Sequence, residues 1–318
     1  MSRVRTHELS DRVERRLLRP LYRRPVYDIC YWVLNRAARK GYEIEKPRMQ
    51  LDSLQQRIVN ELNENGISIV RFENLFSDKR FSEIQDLAET HLRKPRVQRE
   101  IDEIEHGQMP SASKPFLVRP LGRPSLLDHK DAFVQTALSD RILRVACAYL
   151  GMFSRIEDIA LWCNVPTDGP DSYSQRWHRD PDDKRQVKFF LYLRDVDLST
   201  GPLSYIPGSH NEGRFSQVCP QTMPESYYPP EGEVERHFSP SQVMTYTGQA
   251  GTLVFCNTTG LHKGGHPTKR LRLIFTTAYT TNAGLLDPDN QHRYIIKGIH
   301  KENLDPAARF AISRALSR

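Results

Sequence analysis

The sequence has no long apolar run and few cysteines. No stretch approaches the roughly 20 apolar residues that a helix needs to cross a bilayer, and the chain begins with charged residues rather than with the apolar segment of a signal peptide. The five cysteines are scattered along 318 residues and are never spaced as C-x-x-C, which argues against a disulfide framework and a structural zinc site. We therefore expect a cytoplasmic protein.

The body of the chain also lacks an excess of either charge. Residues 1–40 contain 11 of the 46 Lys and Arg residues and 4 of the 39 Asp and Glu residues, so they account for the whole net charge of +7. A nucleic-acid enzyme usually carries its basic excess around the active groove. We therefore expect no nucleic-acid partner.

The basic N-terminal extension, residues 1–45, mixes arginines with aromatic and aliphatic residues. Apolar residues recur at helical spacing between residues 26 and 39 and predict an amphipathic helix that ends at Gly41. Two roles stay open for this helix. Either it packs on the rest of the protein while its arginines remain solvated, or it contacts an anionic membrane and makes the protein peripheral to that membrane.

Beyond the extension, helical patterns are followed by strand patterns. Up to residue 151 the chain contains three helical patterns, SLQQRIVNELNEN, SDKRFSEIQDLAETHLRK and SDRILRVACAYLG, and two strand patterns, ISIVRF and KPFLVRPL. From about residue 158 to residue 281 it contains short strand patterns, among them QVKFFLYLRDV, GTLVFCN and RLRLIFTTAYT. This order predicts a mainly β fold with flanking helices packed outside the β core.

A histidine and an aspartate two positions apart, His178 and Asp180, lie in the stretch QRWHRDPDD. In an extended segment residues i and i+2 point to the same side, so both side chains face one point while Arg179 faces away. A second histidine from a distant strand would complete two histidines and one carboxylate, a set that suits non-haem Fe(II). His262 is the candidate, because it directly follows the strand pattern GTLVFCNTTG.

The H-x-D pair and His262 are each weak evidence alone. The metal site is predicted from the order in which these and neighbouring motifs follow one another. An H-x-D pair is followed by a strand, by GPLSYIPGSH, by an apolar strand and by a histidine with a basic residue about ten positions later. Two other histidines are set aside. His210 ends the PGSH tetrad, where we expect a turn, and His266 follows two glycines and precedes Pro267, a loop context that holds a ligand poorly.

These motifs resemble the phytanoyl-CoA dioxygenase family of Fe(II)/2-oxoglutarate-dependent oxygenases. The phrases WHRDPDD, KFFLYLRDVD, GPLSYIPGSH and GTLVFCNTTGLHKGG carry the likeness, which covers roughly residues 50–285. The resemblance implies a double-stranded β-helix, a jelly-roll or cupin-like core, over about residues 158–281. It divides the chain into the extension, an oxygenase domain of residues 46–285 and a C-terminal helical tail of residues 286–318.

The resemblance makes His178, Asp180 and His262 the iron ligands. It also implies an arginine about ten residues after the last histidine, which would hold the 5-carboxylate of 2-oxoglutarate, and a bidentate guanidinium suits that carboxylate. Arg272 fits this spacing. Arg270 lies nearer the entry of the strand, and we expect it to face solvent.

Further polar residues are candidates for the same pocket. The family often uses amides from these strands at the 2-oxoglutarate carboxylates, so Asn164 and Gln175 are predicted to help there; for each, hydrogen bonding to loop backbone stays an equal alternative. Ile274 stands where many relatives in the wider superfamily have a serine that shares the carboxylate, so a second contact of that kind is in doubt. Lys188 either meets an acidic group inside the barrel or lies at an edge in water.

The implied function is a dioxygenase that uses Fe(II), 2-oxoglutarate and O2, releases succinate and CO2, and hydroxylates or desaturates an unactivated C–H bond. Halogenases of this superfamily have a small residue where this chain has Asp180, so halogenation is not expected. The substrate is expected to be a small molecule or to be linked to a lipid or glycan. Residues 211–245 are predicted to form a lid over the barrel mouth, and Arg119 or Arg123 is a candidate contact for an anionic substrate group.

Two other functions remain open. The same fold supports non-catalytic or regulatory binding proteins that a membrane recruits, and cupin-type metalloenzymes that use no 2-oxoglutarate. Arg272 discriminates between them and the dioxygenase, because neither needs a cation at that position.

Overall fold

The computed structural model describes residues 20, 23, 25–108, 114–223, 225–286, 293–313 and 316–317. Its helices are α1 (Val26–Leu34), α2 (Arg36–Glu45), α3 (Ser53–Asn65), α4 (Asp78–Leu92), α5 (Pro95–Glu105), α6 (Ala132–Ala137), α7 (Asp140–Leu150), α8 (Glu233–His237) and α9 (Pro306–Ala311). Its strands are β1 (Ile67–Arg71), β2 (Leu117–Val118), β3 (Ser125–Asp128), β4 (Arg155–Asn164), β5 (Val187–Tyr192), β6 (Leu203–Tyr205), β7 (Met244–Tyr246), β8 (Thr252–Cys256), β9 (His262–Gly264), β10 (Arg272–Thr280), β11 (Tyr294–Lys297) and β12 (Leu316–Ser317).

Two antiparallel sheets contain most of these strands. The larger has six strands in the order β1-β8-β5-β10-β4-β2, and the smaller has three in the order β7-β6-β9. A separate sheet of β12, β11 and β3 is parallel. From β4 to β10 the chain passes repeatedly between the larger and the smaller sheet.

The larger sheet separates two hydrophobic cores. On β5, Phe189 and Leu191 belong to a core that the sheet shares with the helices, whereas Phe190 and Tyr192 belong to a second core that includes Leu203 of the smaller sheet. Successive residues of a strand point to opposite faces, so the alternation of β5 fills both cores.

The predicted helix ends agree with the structure where a capping residue marks them. The first helical pattern ends at Gly66, which has a φ of 76°, and the second begins at Ser77, whose side chain accepts a hydrogen bond from the backbone of Arg80. The predicted sheets and their flanking helices are present, and among the described residues those in helices outnumber those in strands. The helices supply a complete packing layer, and the C-terminal tail, predicted as helical, also contains β11.

The N-terminal helix was predicted as one helix ending at Gly41, and the structure has two helices that meet at Asn35. Gly41 lies within α2. A Cβ atom built there would lie 2.7 Å from a ring carbon of Phe153, so this glycine allows the helix to pack closely on that ring. It is a packing residue rather than a helix end.

The inner face of this helix pair packs on the rest of the protein. The hydroxyl of Tyr27 donates to the buried carboxylate of Asp183 at 3.3 Å. The Asn35 side chain donates to Thr281 at 3.0 Å and accepts from the backbone of Asn282 at 2.7 Å. This face of the helix pair therefore has the first of the two roles considered for the extension, which is packing on the rest of the protein. None of the described helices is long and apolar enough to cross a membrane.

The Asn35 contacts give a stability prediction. Replacing Asn35 with alanine leaves the buried Asn282 N–H without its acceptor and removes one hydrogen bond to the Thr281 hydroxyl, which costs about 1–3 kcal/mol. We expect Asn35→Ala to lower the free energy of unfolding by that amount in a denaturant titration. The exposed neighbour Arg36 is the control, and Arg36→Ala should change it by less than about 0.5 kcal/mol. Equal effects of the two changes would contradict this account.

Candidate active site

The backbone brings His178 and His262 side by side. The N–H of His178 donates to the carbonyl of His262 at 2.9 Å, and the N–H of His262 donates back at 3.1 Å, so the two residues form an isolated antiparallel bridge. Their ring centroids lie 4.1 Å apart. Two histidines that are distant in the sequence are thus immediate neighbours.

Both imidazoles are held in the same way. Nδ1 of His178 lies 2.8 Å from the carbonyl of Arg176, and Nδ1 of His262 lies 2.9 Å from the carbonyl of Gly260. A carbonyl can only accept, so each Nδ1 carries the proton and each Nε2 has a free lone pair. Burial and the neighbouring ring of His262 lower the pKa of His178 to about 3, and burial lowers the pKa of His262. Neutral imidazoles of this kind are metal ligands.

Asp180 completes the cluster. Its Oδ1 lies 3.7 Å from Nε2 of His178, and its Oδ2 lies 3.8 Å from Nε2 of His262. Burial alone would raise the pKa of this carboxyl, but Lys188 and the two histidines hold the pKa well below its usual range. The ligand atoms of the three residues all lie within 4.8 Å of one another. The structure therefore brings together the three residues predicted as metal ligands.

A cavity of about 590 Å³ lies between the two antiparallel sheets and is lined by these three residues and by Arg272. Arg272 is the first residue of β10, lies opposite Asn164 of β4, and is 6% exposed. Burial lowers its pKa to about 10. By contrast, Arg270 is exposed and forms an ion pair with Asp197. Of the two arginines, only Arg272 lines the cavity.

Several buried N–H groups on residues of this cavity have no acceptor. Within the described part of the chain, Nε of Arg272, Nδ2 of Asn164 and Nε1 of Trp162 make no hydrogen bond. A buried donor without an acceptor costs about 1–3 kcal/mol. A ligand with carboxylate oxygens would satisfy such donors, so the cavity fits a small dicarboxylic acid.

The donor set also fits a metal ion. Two imidazole nitrogens and one carboxylate oxygen, with an open side toward a cavity, are the ligands of non-haem Fe(II) sites. The remaining coordination positions would face the same cavity as Arg272. The candidate metal ligands and Arg272 therefore line one cavity.

Three polar residues weighed from the sequence have other contacts. Oε1 of Gln175 accepts from the backbone of Ser172 at 3.0 Å, its buried Nε2 has no acceptor among the described residues, and Gln175 is not among the cavity-lining residues; its help at 2-oxoglutarate stays a prediction. His210 is buried with Nε2 3.2 Å from the carbonyl of Asn63. His266 contacts Thr167 and Asp171 and lies outside the metal-ligand cluster.

Part of the segment predicted as a lid covers the site. The backbone of Tyr227 pairs with that of Arg179 at 3.0 and 3.3 Å. The ring of Tyr228 stacks on His178, with centroids 5.5 Å apart and planes inclined by 17°, and Ser226 lines the cavity. This part of residues 211–245 lies directly over the metal-ligand cluster.

Arg179, which was predicted to face away from the metal ligands, does so, but it is completely buried. It donates to the backbone carbonyls of Cys219 at 2.6 Å, Val218 at 2.9 Å and Thr259 at 2.5 Å. One guanidinium thus ties the lid and the turn before β9 to the H-x-D segment.

Several cavity residues were not singled out in the sequence, among them Trp162, Lys114 and Arg293. Strand alternation could have found Trp162, because it shares a face with Asn164. Lys114 and Arg293 lie outside the long strands, and no pattern in the sequence assigns them to the cavity.

Comparison with known protein families gives a match over most of the chain. A family model described as phytanoyl-CoA dioxygenase (PhyH) matches residues 30–272. The match begins within α1, so it includes part of the segment predicted as a separate extension. No curated protein matches the chain by sequence.

Solved structures resemble the fold at low sequence identity. EctD from S. alaskensis, crystallised with 2-oxoglutarate and 5-hydroxyectoine, is 17% identical, with a TM-score of 0.50 over 84% of this chain and 88% of its own. The epimerase SnoN, in complex with Fe3+, alpha ketoglutarate and nogalamycin RO, is 15% identical, with a TM-score of 0.48 over 72% of this chain and 84% of its own. AviO1 from Streptomyces viridochromogenes Tue57 is 14% identical, with a TM-score of 0.45 over 73% of this chain and 96% of its own.

The cluster gives a metal-binding prediction. Protein purified without oxygen should bind one Fe(II) per chain, and His178→Ala, Asp180→Ala and His262→Ala should each remove most of that binding in a calorimetric titration, because each takes away one ligand. His266→Ala is the matched control and should bind normally. If His266→Ala were the damaging change, the assignment of the third ligand to His262 would be wrong.

Proposed function

Because the chain belongs to the phytanoyl-CoA dioxygenase family, we propose that it is an Fe(II)- and 2-oxoglutarate-dependent dioxygenase. Its reaction is the hydroxylation or desaturation of an unactivated C–H bond, with release of succinate and CO2. One observation carries the proposal: a buried arginine with an unsatisfied Nε shares a cavity with a His-Asp-His cluster.

We also propose that the two antiparallel sheets form a double-stranded β-helix. Strand order supports this. The larger sheet contains the series β8-β5-β10-β4, and the smaller contains β7-β6-β9 followed by the bridge residue His178. From β4 to β10 consecutive segments alternate between the sheets in the manner of a jelly roll, apart from β6 and β7, which pair with each other in the smaller sheet. The cavity lies between the two sheets.

His178, Asp180 and His262 would hold the metal. The metal and 2-oxoglutarate, when bound, supply the oxidising chemistry with O2, and the protein provides position and surroundings. The backbone carbonyls at Nδ1 keep both imidazoles neutral and correctly oriented. The Tyr228 ring over His178 shields the cluster from bulk water.

Arg272 would hold the 5-carboxylate of 2-oxoglutarate, with Asn164 beside it. Pairing with β4 at the start of β10 fixes the backbone of Arg272, and burial restricts the space open to its side chain. A charge-assisted pair in a secluded site is strong. Ile274 lines the cavity two residues further on, so no serine shares the carboxylate there.

The substrate is proposed to enter at the other end of the cavity. Lys114, Arg119 and Arg123 also line the cavity, together with Asp158. Arg119 has one ion-pair partner in the described residues, Asp158 at 3.9 Å. These cations support a substrate that carries an anionic group, either a free small molecule or one linked to a lipid or glycan.

The two alternative functions have less support. A binding protein without catalysis requires neither a complete ligand cluster nor neutral, oriented imidazoles. A metalloenzyme that uses no 2-oxoglutarate needs no buried arginine in the cavity. Such a function therefore does not explain why Arg272 is buried opposite Asn164 with its Nε unsatisfied.

The role of Arg272 can be tested by cosubstrate binding. Removal of the guanidinium in Arg272→Ala should weaken 2-oxoglutarate binding by about 2–5 kcal/mol, because a charge-assisted pair in a dry site is lost, while metal binding is retained. Calorimetry on Mn(II)-loaded protein measures both constants. Arg270→Ala is the control, and equal sensitivity of the two variants would refute the assignment to Arg272.

We propose further that the outer face of α1 contacts an anionic membrane. Ile29, Trp32 and Val33 are 61%, 60% and 55% exposed, although the inner face of the same helix is packed. The surrounding segment is strongly basic, since residues 1–40 carry the whole net charge of +7. Aromatic and aliphatic residues beside arginines suit the interface of an anionic bilayer.

Vesicle binding tests this surface. The intact protein should sediment with phosphatidylglycerol-containing vesicles but not with neutral ones, and salt should weaken the binding because it screens the charges. Ile29→Ser/Trp32→Ser should abolish it, whereas Leu198→Ser, at an exposed apolar residue outside α1, should not. Binding that survives the double change, or dimerisation that depends on Ile29 and Trp32, would refute the membrane as the partner.

A further inference from the structure

Lys188 is a charged residue in the middle of the fold. It lies on β5, is 9% exposed, and shares the cavity face of that strand with Phe190 and Tyr192. Its ammonium donates to Oδ2 of Asp180 at 2.7 Å and to Oδ2 of Asp182 at 2.9 Å. Of the two possibilities left by the sequence, an acidic partner inside the fold is therefore the one that the structure contains.

The second partner of Lys188 is itself held. Oδ1 of Asp182 lies 3.3 Å from Nη2 of Arg293, and Nη1 of Arg293 lies 2.5 Å from Oε1 of Glu157. A buried charge is tolerated when it is paired and hydrogen-bonded. Lys188 is thus held by Asp182, which is in turn paired with Arg293, and Arg293 is paired with Glu157.

The two carboxylate oxygens of Asp180 have different surroundings. Oδ2 accepts the hydrogen bond from Lys188, whereas Oδ1 accepts none from any residue that the structure describes. The backbone N–H of Asp180 donates to the carbonyl of Thr258 at 2.9 Å, so the main chain is also held. Only Oδ1 has no competing hydrogen bond.

We propose that Lys188 is a positioning residue that retains Oδ2 of Asp180 and leaves Oδ1 as the single metal-binding atom of that carboxylate. The inference rests on the proposed function and concerns the same site. A carboxylate that binds through one oxygen takes one coordination position instead of two. Lys188 therefore keeps a position open for 2-oxoglutarate, although it touches neither the metal nor the acid.

The test compares metal and cosubstrate binding in Lys188→Met, which has a side chain of similar length without charge. Calorimetry with Mn(II), and then with 2-oxoglutarate on the Mn(II)-loaded protein, requires no turnover. Mn(II) should still bind, within about threefold of the wild-type constant. Binding of 2-oxoglutarate should weaken at least tenfold, because the released Oδ2 occupies the position that the acid needs.

Control variants separate positioning from folding. Lys188→Arg keeps the charge and the donors and should bind 2-oxoglutarate more tightly than Lys188→Met does. Lys184→Met removes another ion-paired lysine of the same segment, one that bonds Asp28 at 2.5 Å on the surface, and should bind like wild type. If Lys188→Met fails to fold, Lys188→Met/Asp182→Asn removes the opposing charge as well and takes its place in the test.

Two results would overturn the inference. Unchanged 2-oxoglutarate affinity in a Mn(II)-loaded Lys188→Met protein would show that Lys188 does not keep a position open. A parallel loss of Mn(II) and 2-oxoglutarate binding, not improved in Lys188→Arg, would show a purely structural role. Wild-type protein that binds Mn(II) but not 2-oxoglutarate would instead refute the proposed function, so the two failures are distinguishable.

Discussion

The candidate site depends on one antiparallel bridge, between the backbones of His178 and His262. This pairing joins a short segment after β4 to the strand that follows β8, and it places both imidazoles on one side of the cavity. The same backbone direction aligns Asp180 beside them, because residues two apart in an extended segment face the same way. Loss of the bridge would separate the two imidazoles.

The other organising feature is how charge is buried. Arg179 is satisfied entirely by backbone carbonyls, and Lys188 by two carboxylates. Arg179 connects the H-x-D segment to the lid, and Lys188 connects it to the larger sheet, so the two residues fix the segment from opposite sides. Arg272 is the exception, because its Nε has no partner in the described part of the chain. Because Arg272 also lines the cavity, we infer that a bound ligand supplies the acceptor that its Nε lacks.

The local motifs predicted more of the site than of the architecture. The H-x-D spacing and the histidine after an apolar strand each depend on a few neighbouring residues, and the choice of Arg272 came from the spacing that the family resemblance implies. The structure brings these residues together in one cavity. Helix ends at Gly66 and Gly151 were also predictable, since both residues adopt the left-handed conformation that favours glycine. Asn35 and Gly41 were not, because the break between α1 and α2 and the close approach of Phe153 arise from contacts with distant segments. Arg293 was missed for the same reason.

The central claim is that one cavity holds a metal at His178, Asp180 and His262 and a dicarboxylic acid at Arg272. Anomalous diffraction from crystals grown without oxygen, with Mn(II) and 2-oxoglutarate, tests it most directly. The account predicts a single strong anomalous peak between Nε2 of both histidines and Oδ1 of Asp180, with the far carboxylate of the acid on the Arg272 guanidinium. A metal peak elsewhere, or an acid whose carboxylates avoid Arg272, would contradict it.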